Sequence, residues 1–333
     1  MHTPTLTHPL RALLLLAGAL IFSLTGPAPV HAEWTSAHHR DHPLVGTIWS
    51  TETEGPLTET AYLDRVAAAR FVLLGEIHPN PDHHNLQAQA LEELIKRGRK
   101  PAVVFEMIPI NMQKAVDTFI AQEDRSLDLL QEVLQWTTRG WPDWSMYAPI
   151  FDLALRHDLP IRAGNLSKSE SKGLWKDIKA GLSDDQKRLY GLDVPLGDTV
   201  KSQLRSHIGE AHCGMLPEKL LDPMTSVQRA KDGLMANTLM DADQGDGAVL
   251  ISGSGHVRRD WAVPFVIKAK QPKAEIVAVA FSEAAPGYKT AKDYMPDAAP
   301  GAPTFDILYF TPLAEKRDYC ADLKKHFKHK KKN

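Results

Sequence analysis

Five short apolar runs, each ending in a turn rich in glycine, histidine or carboxylate, constrain the fold of this chain more than any other feature. Phe71-Val-Leu-Leu74 leads into Gly75-Glu76-Ile77-His78, Ala102-Val-Val-Phe105 into Glu106, and Leu159-Pro-Ile-Arg-Ala163 into Gly164-Asn165. Ala248-Val-Leu-Ile251 leads into Ser252-Gly253-Ser254-Gly255-His256, and Ile276 to Phe281 into Ser282-Glu283. A sixth run, Phe305 to Phe310, stands near the end. Short runs rich in β-branched residues suit strands buried on both faces.

Helical patterns separate them. Leu86, Ala90, Leu91 and Leu94 share one face of a segment that Gly98 stops, and Tyr147 to Leu155 reads the same way. Strand alternating with helix predicts an α/β fold, a mostly parallel sheet flanked by helices. Residues 165–245 break the alternation, with helical stretches at Asp198–Glu210 and from Met224 to about Asp243. A run of that length is too long for a loop, so it is expected as a helical insertion forming a second lobe. Ala284–Thr304, rich in Pro, Gly and Ala, is expected as a long loop.

The ends carry different information. Arg11, the apolar Ala12 to Leu24, and Val30-His31-Ala32 have the pattern of a secretory signal peptide cleaved after Ala32. The apolar stretch is shorter than the ~20 residues that span a bilayer, which weighs against an uncleaved anchor. The expectation is a periplasmic or secreted protein whose α/β domain covers residues 65–320, after an irregular lead-in at 33–64. Residues 321–333 form a basic tail with Lys324, Lys325, Lys328, Lys330, Lys331 and Lys332, interleaved with His326 and His329. Such a tail is expected to be solvated, and membrane contact is expected only through it or through an uncleaved signal. A net charge of −2 gives no reason to expect a nucleic-acid partner. The two cysteines, Cys213 and Cys320, exclude a disulfide framework and leave one bridge or two thiols.

In a parallel sheet all five polar turns emerge along the carboxyl edge, where open α/β sheets bind ligands. Glu76, His78, Glu106 and His256 are N and O donors suited to zinc or manganese, and a bound metal could activate water for hydrolysis. The competing reading is that these side chains bond one another and backbone amides to hold the turns. His83 and His84 open a helix and are expected to be solvent-exposed or capping. No Gly-x-Ser-x-Gly elbow, His-Glu-x-x-His pair, dinucleotide or phosphate loop, or Cys-x-x-Cys-His haem attachment motif occurs.

Taken in order, these motifs resemble the ChaN-like haem-binding uptake family, in the superfamily that includes Tiki proteases and erythromycin-esterase-like enzymes. The resemblance rests on Leu-Leu-Gly-Glu-Ile-His78 with Asp82-His83-His84, Phe105-Glu106-Met107, and Gly140-Trp141-Pro-Asp-Trp144 with Tyr147. It continues through His212 to Pro217, Gln228 to Asp232, and Gly253 to Asp260 with Val263-Pro264. It implies an α/β part and a helical part with a cleft between them. It further implies an exported protein handling haem or iron in the bacterial envelope, with a homodimer as one form. The lipobox cysteine of lipoprotein members is absent near the cleavage point.

Tyrosine suits oxidised haem iron, which makes Tyr147 the first expected iron ligand and Tyr288 and Tyr294 the next. From the insertion, His212, Cys213 and Met215 are candidates to line the pocket. Gln228 and Asp232, four apart, share a helix face. Arg258 and Arg259 would serve the haem propionates. The alternative is a metal-dependent hydrolase of peptidase or esterase type. In it Glu76, His78, Glu106 and His256 bind a divalent ion, and the two arginines serve an anionic substrate.

Overall fold

The computed structural model describes residues 33–295 and 303–330. The elements follow in the order β1 (Ile48–Ser50), β2 (Gly55–Leu57), α1 (Glu59–Ala68), β3 (Phe71–Glu76), α2 (Pro81–Lys96), β4 (Ala102–Pro109), α3 (Gln113–Ile120), α4 (Leu127–Val133), α5 (Trp144–Arg156) and β5 (Ile161–Asn165). Four helices come next: α6 (Lys168–Ala180), α7 (Asp184–Leu189), α8 (Asp198–Ala211) and α9 (Glu218–Ala242). The chain closes with β6 (Ala248–Gly253), α10 (Val263–Lys270), β7 (Ile276–Glu283), β8 (Ile307–Thr311) and α11 (Tyr319–Lys330).

One sheet of eight strands runs β2-β1-β8-β7-β3-β6-β4-β5. From β8 to β5 every pairing is parallel, while β1 and β2 add an antiparallel edge. The α/β class read from the sequence is therefore the observed one. Alternation along the strands explains the two packed faces. Val72 and Leu74 of β3 point to the face covered by α2 and α5, with Leu91 and Phe151. Phe71 and Leu73 point to the face covered by α9 and α10, with Leu239 and Ile267. Each such side chain, fully buried, contributes roughly 1.5–3 kcal/mol.

Several boundaries move. The lead-in expected to be irregular holds the β1–β2 hairpin and most of α1, with Thr58 capping that helix. Trp49, in a segment without sustained period, pairs with Leu308 across the sheet, a long-range contact that no local pattern announces. The strand expected from Leu159 starts at Ile161, on the edge of the sheet; Pro160 has no N–H to donate, although its carbonyl accepts from the Val103 amide at 2.8 Å. α9 starts at Glu218, six residues before the expected Met224. The expected signal segment, residues 1–32, and Lys331 and Lys332 of the tail lie outside the described residues.

Gly75 sits where β3 passes closest to the turn after β6. A Cβ there would lie 2.4 Å from Val257 Cγ2 and 2.8 Å from Ser254 Cα. Only glycine lets the two turns approach this closely.

Candidate functional site

The carboxyl edge of the sheet assembles the expected residues. Glu76 ends β3 and pairs in register with Gly253 at the end of β6. Glu106 lies on β4, and its Oε2 accepts the Gly253 N–H at 2.8 Å. His78 follows β3, and its Nδ1 donates to Glu76 Oε1 at 2.7 Å. His256, on the short turn after β6, stands between two carboxylates. Its Nδ1 is 2.6 Å from Asp232 Oδ1 and its Nε2 3.3 Å from Glu106 Oε1.

Three helices complete the group. α2 begins with Asn80, whose side chain accepts from the Asp82 and His83 amides, and with Pro81. That start sets His84 Nδ1 2.6 Å from Glu76 Oε2 and lets its Nε2 donate to the His78 carbonyl at 2.9 Å. From α5, the Tyr147 hydroxyl donates to Glu76 Oε1 at 2.8 Å. α9 brings Asp232 and, one turn earlier, Gln228, whose Nε2 is 3.3 Å from His256 Nδ1. Asp232 Oδ2 is buried with no hydrogen-bond partner among the described residues.

Burial and charge shift these groups in opposite senses. Burial alone would raise Glu106, but the imidazoles of His256 and His78 and the Gly253 amide outweigh it, holding the carboxyl well below the usual range. Burial alone would lower His256, yet Glu106 and Asp232 hold it up at about 10. Glu76 is lowered because His84 and His78 outweigh its burial. Burial, with the Glu76 carboxylate alongside, pushes the Tyr147 phenol far up, so it stays protonated.

The four residues expected to ligate zinc or manganese do converge, as the sequence suggests. Their donor atoms are turned on one another, and His78 Nε2 is 4.0 Å from Glu106 Oε2. Among the described residues no group of three or more His, Cys, Asp or Glu is disposed to hold a metal ion. The bonds observed are those by which these side chains hold one another and the Gly253 amide.

Several candidates are placed elsewhere or committed. Tyr147 is fully buried in the aromatic core against Trp136 and His84, not on a ligand-accessible surface. Tyr288 and Tyr294 pack on each other with ring centroids 4.8 Å apart. Cys213 forms a disulfide with Cys320, so its sulfur is no ligand. His212 is held by the Ile208 carbonyl at 2.7 Å. Arg258 is buried, bonded to Asp260 at 2.7 and 3.1 Å and stacked 3.6 Å from the Trp261 ring centre. Arg259 grips both oxygens of Asp306 at 2.6 Å. Neither arginine is free for a propionate. Glu283 leaves the histidine cluster too, accepting from Asn80 at 2.8 Å.

His83 and His84, expected to be solvent-exposed or capping, are fully buried. His83 Nδ1 accepts from the Ile77 amide at 2.9 Å. The signal was present: the stripe Leu94, Leu91, Gln87 runs back at helical spacing to His84 and His83.

Beside this group opens a cleft of about 1130 Å³, lined by Glu106, Trp141, Asn165, Met112 and Leu166 among others. Small-molecule sites commonly measure about 300–1,000 Å³. Trp141 packs edge-on against His78 with centroids 5.2 Å apart, and the His78 side chain is 34% exposed. A second bay of about 630 Å³ lies between α6 and α9 and shares Ser171, Lys172 and Lys231 with the first. The lysines of α6 were missed because that helix carries no motif, and Lys231 was passed over inside the Gln228–Asp232 stretch in favour of its neighbours.

A family model described as haem-binding uptake, Tiki superfamily, ChaN, matches residues 62–267. Among solved structures, one titled cofacial heme binding to ChaN of Campylobacter jejuni aligns with a TM-score of 0.60 at 23% identity, covering 79% of this chain and 95% of that one. The type III effector HopBA1 aligns at 0.42 and 10% identity, covering 76% and 92%. An erythromycin esterase, EreC, aligns at 0.41 and 13%, covering 82% and 99%. A search of curated proteins returned no match.

Proposed function

The chain belongs to the ChaN family of haem-binding uptake proteins, in the Tiki superfamily, and we propose that it binds haem in the cleft beside His78 as part of haem uptake in the cell envelope. The observation that carries this reading is the lining of the cleft. Its walls mix apolar side chains, Met112, Val133, Trp141 and Leu166, with the cations Lys168, Lys172 and Lys231. A flat apolar ligand bearing acidic groups has the matching chemistry.

His78 is the proposed iron donor. Its Nδ1–H is held by Glu76, which fixes the ring and leaves Nε2 as the coordinating atom. Of the three imidazoles around Glu76 and Glu106, it alone is substantially exposed; His84 and His256 are buried. Haem in this place would supply the iron and the porphyrin to be carried, and the chain supplies the slot and the orientation of the ring. Export through residues 1–32 and a homodimer belong to the same proposal. The signal-peptide pattern supports the first.

The test is a haem titration of the purified protein followed by absorbance, repeated with His78→Ala. A saturable Soret band that shifts or collapses in the variant is the expected result. A wild type with no saturable band overturns the reading, and an unaltered spectrum in His78→Ala moves the donor elsewhere. Fractionation of producing cells reports on export, and light scattering with and without haem reports on the dimer.

A further inference from the structure

The two bays differ from the surface around them in their charge balance. Arg139, Lys168, Lys172 and Lys231 line the first, against Glu106 as its one acid. Lys172, Lys176 and Lys231 line the second, which has no acid at all. Glu106 does not neutralise these cations, since its oxygens are engaged by His256 and the Gly253 amide. Arg139 is turned away, donating to the Met107 and Leu134 carbonyls at 2.6 and 3.3 Å. Among the described residues the four lysines form no ion pair with a carboxylate.

Helical spacing places these cations together. Lys168, Lys172 and Lys176 follow one another at four-residue steps along α6, with Trp175 beside them. On α9, Leu220, Met224, Val227, Gln228 and Lys231 form one stripe facing the second bay. The groove thus has an apolar floor, an aromatic wall and two lysines, Lys172 and Lys231, at the junction where both bays meet. Gln228 links that junction to His256.

We propose that Lys172 and Lys231 anchor the carboxylates of the ligand, so that the site selects porphyrins by their propionates as well as by their iron. The inference rests on the haem reading and extends it. The macrocycle lies in the larger cleft, and its acidic edge reaches the junction with the α6–α9 bay. Two carboxylates meeting two lysines that form no ion pair among the described residues form charge-assisted hydrogen bonds, which are about twice as strong as neutral ones. Iron-free protoporphyrin, which keeps both carboxylates, should therefore still bind.

The experiment titrates the protein with haem, with protoporphyrin IX and with haem dimethyl ester, by absorbance and by quenching of tryptophan fluorescence. It compares wild type, the double variant Lys172→Gln/Lys231→Gln, and a control Lys96→Gln on α2. Wild type and control should bind haem and protoporphyrin, with the diester weaker by about ten-fold or more, and raised salt should narrow that gap. The double variant should bind haem only as well as wild type binds the diester, and its own diester affinity should be unchanged. A wild type that binds haem and diester equally, or a double variant that keeps wild-type haem affinity, overturns the anchor and leaves the haem reading intact. A wild type that binds none of the three overturns both. Both lysines are at least partly exposed, and thermal denaturation of the double variant is expected to match that of the control.

Discussion

His256 Nδ1 lies 2.6 Å from Asp232 Oδ1 while its Nε2 faces Glu106 Oε1 at 3.3 Å, so one imidazolium is clamped between a strand and a helix. Breaking a buried pair by removing one partner strands the other charge, which destabilises by about 3–5 kcal/mol. His256→Ala is expected to lose stability in that range, measured by urea denaturation at pH 7. Asp232→Asn, which keeps the shape and a hydrogen-bonding group, should lose less.

The same clamp sets an alkaline limit. His256 has a folded pKa raised to about 10, so its stabilising contribution is complete below the unfolded value of ~6.5 and fades as pH rises through about 10. Glu106 acts in the opposite sense. Its folded pKa is depressed, so its contribution is present above its unfolded value and fades only in strong acid. Denaturation midpoints should fall between about pH 6.5 and 10 in wild type and stay flatter in His256→Ala. Parallel curves for the two proteins over that range would refute this assignment.

Tyr147→Phe separates structure from ligand binding. The hydroxyl donates to the buried Glu76 carboxylate, and a hydrogen bond to a charged group is worth about 1.5–3 kcal/mol. The variant should lose stability of that order while its haem spectrum and affinity remain those of wild type. A lost or shifted Soret band would show that the phenol reaches the ligand after all.

Gly75→Ala tests the close approach of β3 to the turn after β6. The new methyl would sit 2.4 Å from Val257 Cγ2 and 2.8 Å from the Ser254 backbone. Because a backbone atom cannot give way as a side chain can, a loss of about 1–3 kcal/mol is expected. Thermal melting by circular dichroism measures it.

Reducing the Cys213–Cys320 disulfide should lower the denaturation midpoint without altering the haem spectrum. The bridge spans 107 residues, and closing a loop near that length stabilises by up to ~4.7 kcal/mol in the chain-entropy model. Comparison of oxidised and reduced protein by urea denaturation gives the value. A changed Soret band on reduction would place the sulfurs at the ligand.

The strands and the edge that carries the site were legible because burial on both faces leaves a dense apolar run, and each run here ends in a polar turn. Glu76, His78, Glu106 and His256 could be gathered from that pattern alone. Gln228 and Asp232 were legible as a pair at helical spacing, and both reach His256. Partner choice was not legible. Whether Arg259 meets a propionate or Asp306, 47 positions away, is decided by how β8 lies beside β7. Tyr147 misled for a related reason. An aromatic residue near tryptophans reads alike for a core and for a ligand pocket, and only the packing of α5 on α2 puts it inside. The lysines of α6 carry no pattern apart from their helix, and Lys231 stands in the Gln228–Asp232 stretch without a signal of its own role.

The hydrogen-bonded group at the strand ends has a consequence for how the protein comes to be active. Tyr147 stands 71 positions from Glu76, and Gly253 stands 147 from Glu106. Each of those loops must close before the group is complete, and closures of this length are slow. A nascent chain that has made β3 and α2 holds Glu76, His78 and His84 together but lacks Glu106, His256 and Asp232 around them. Competence arrives late and all at once, so in a refolding experiment the capture of haem should lag behind helix formation and keep time with the last step.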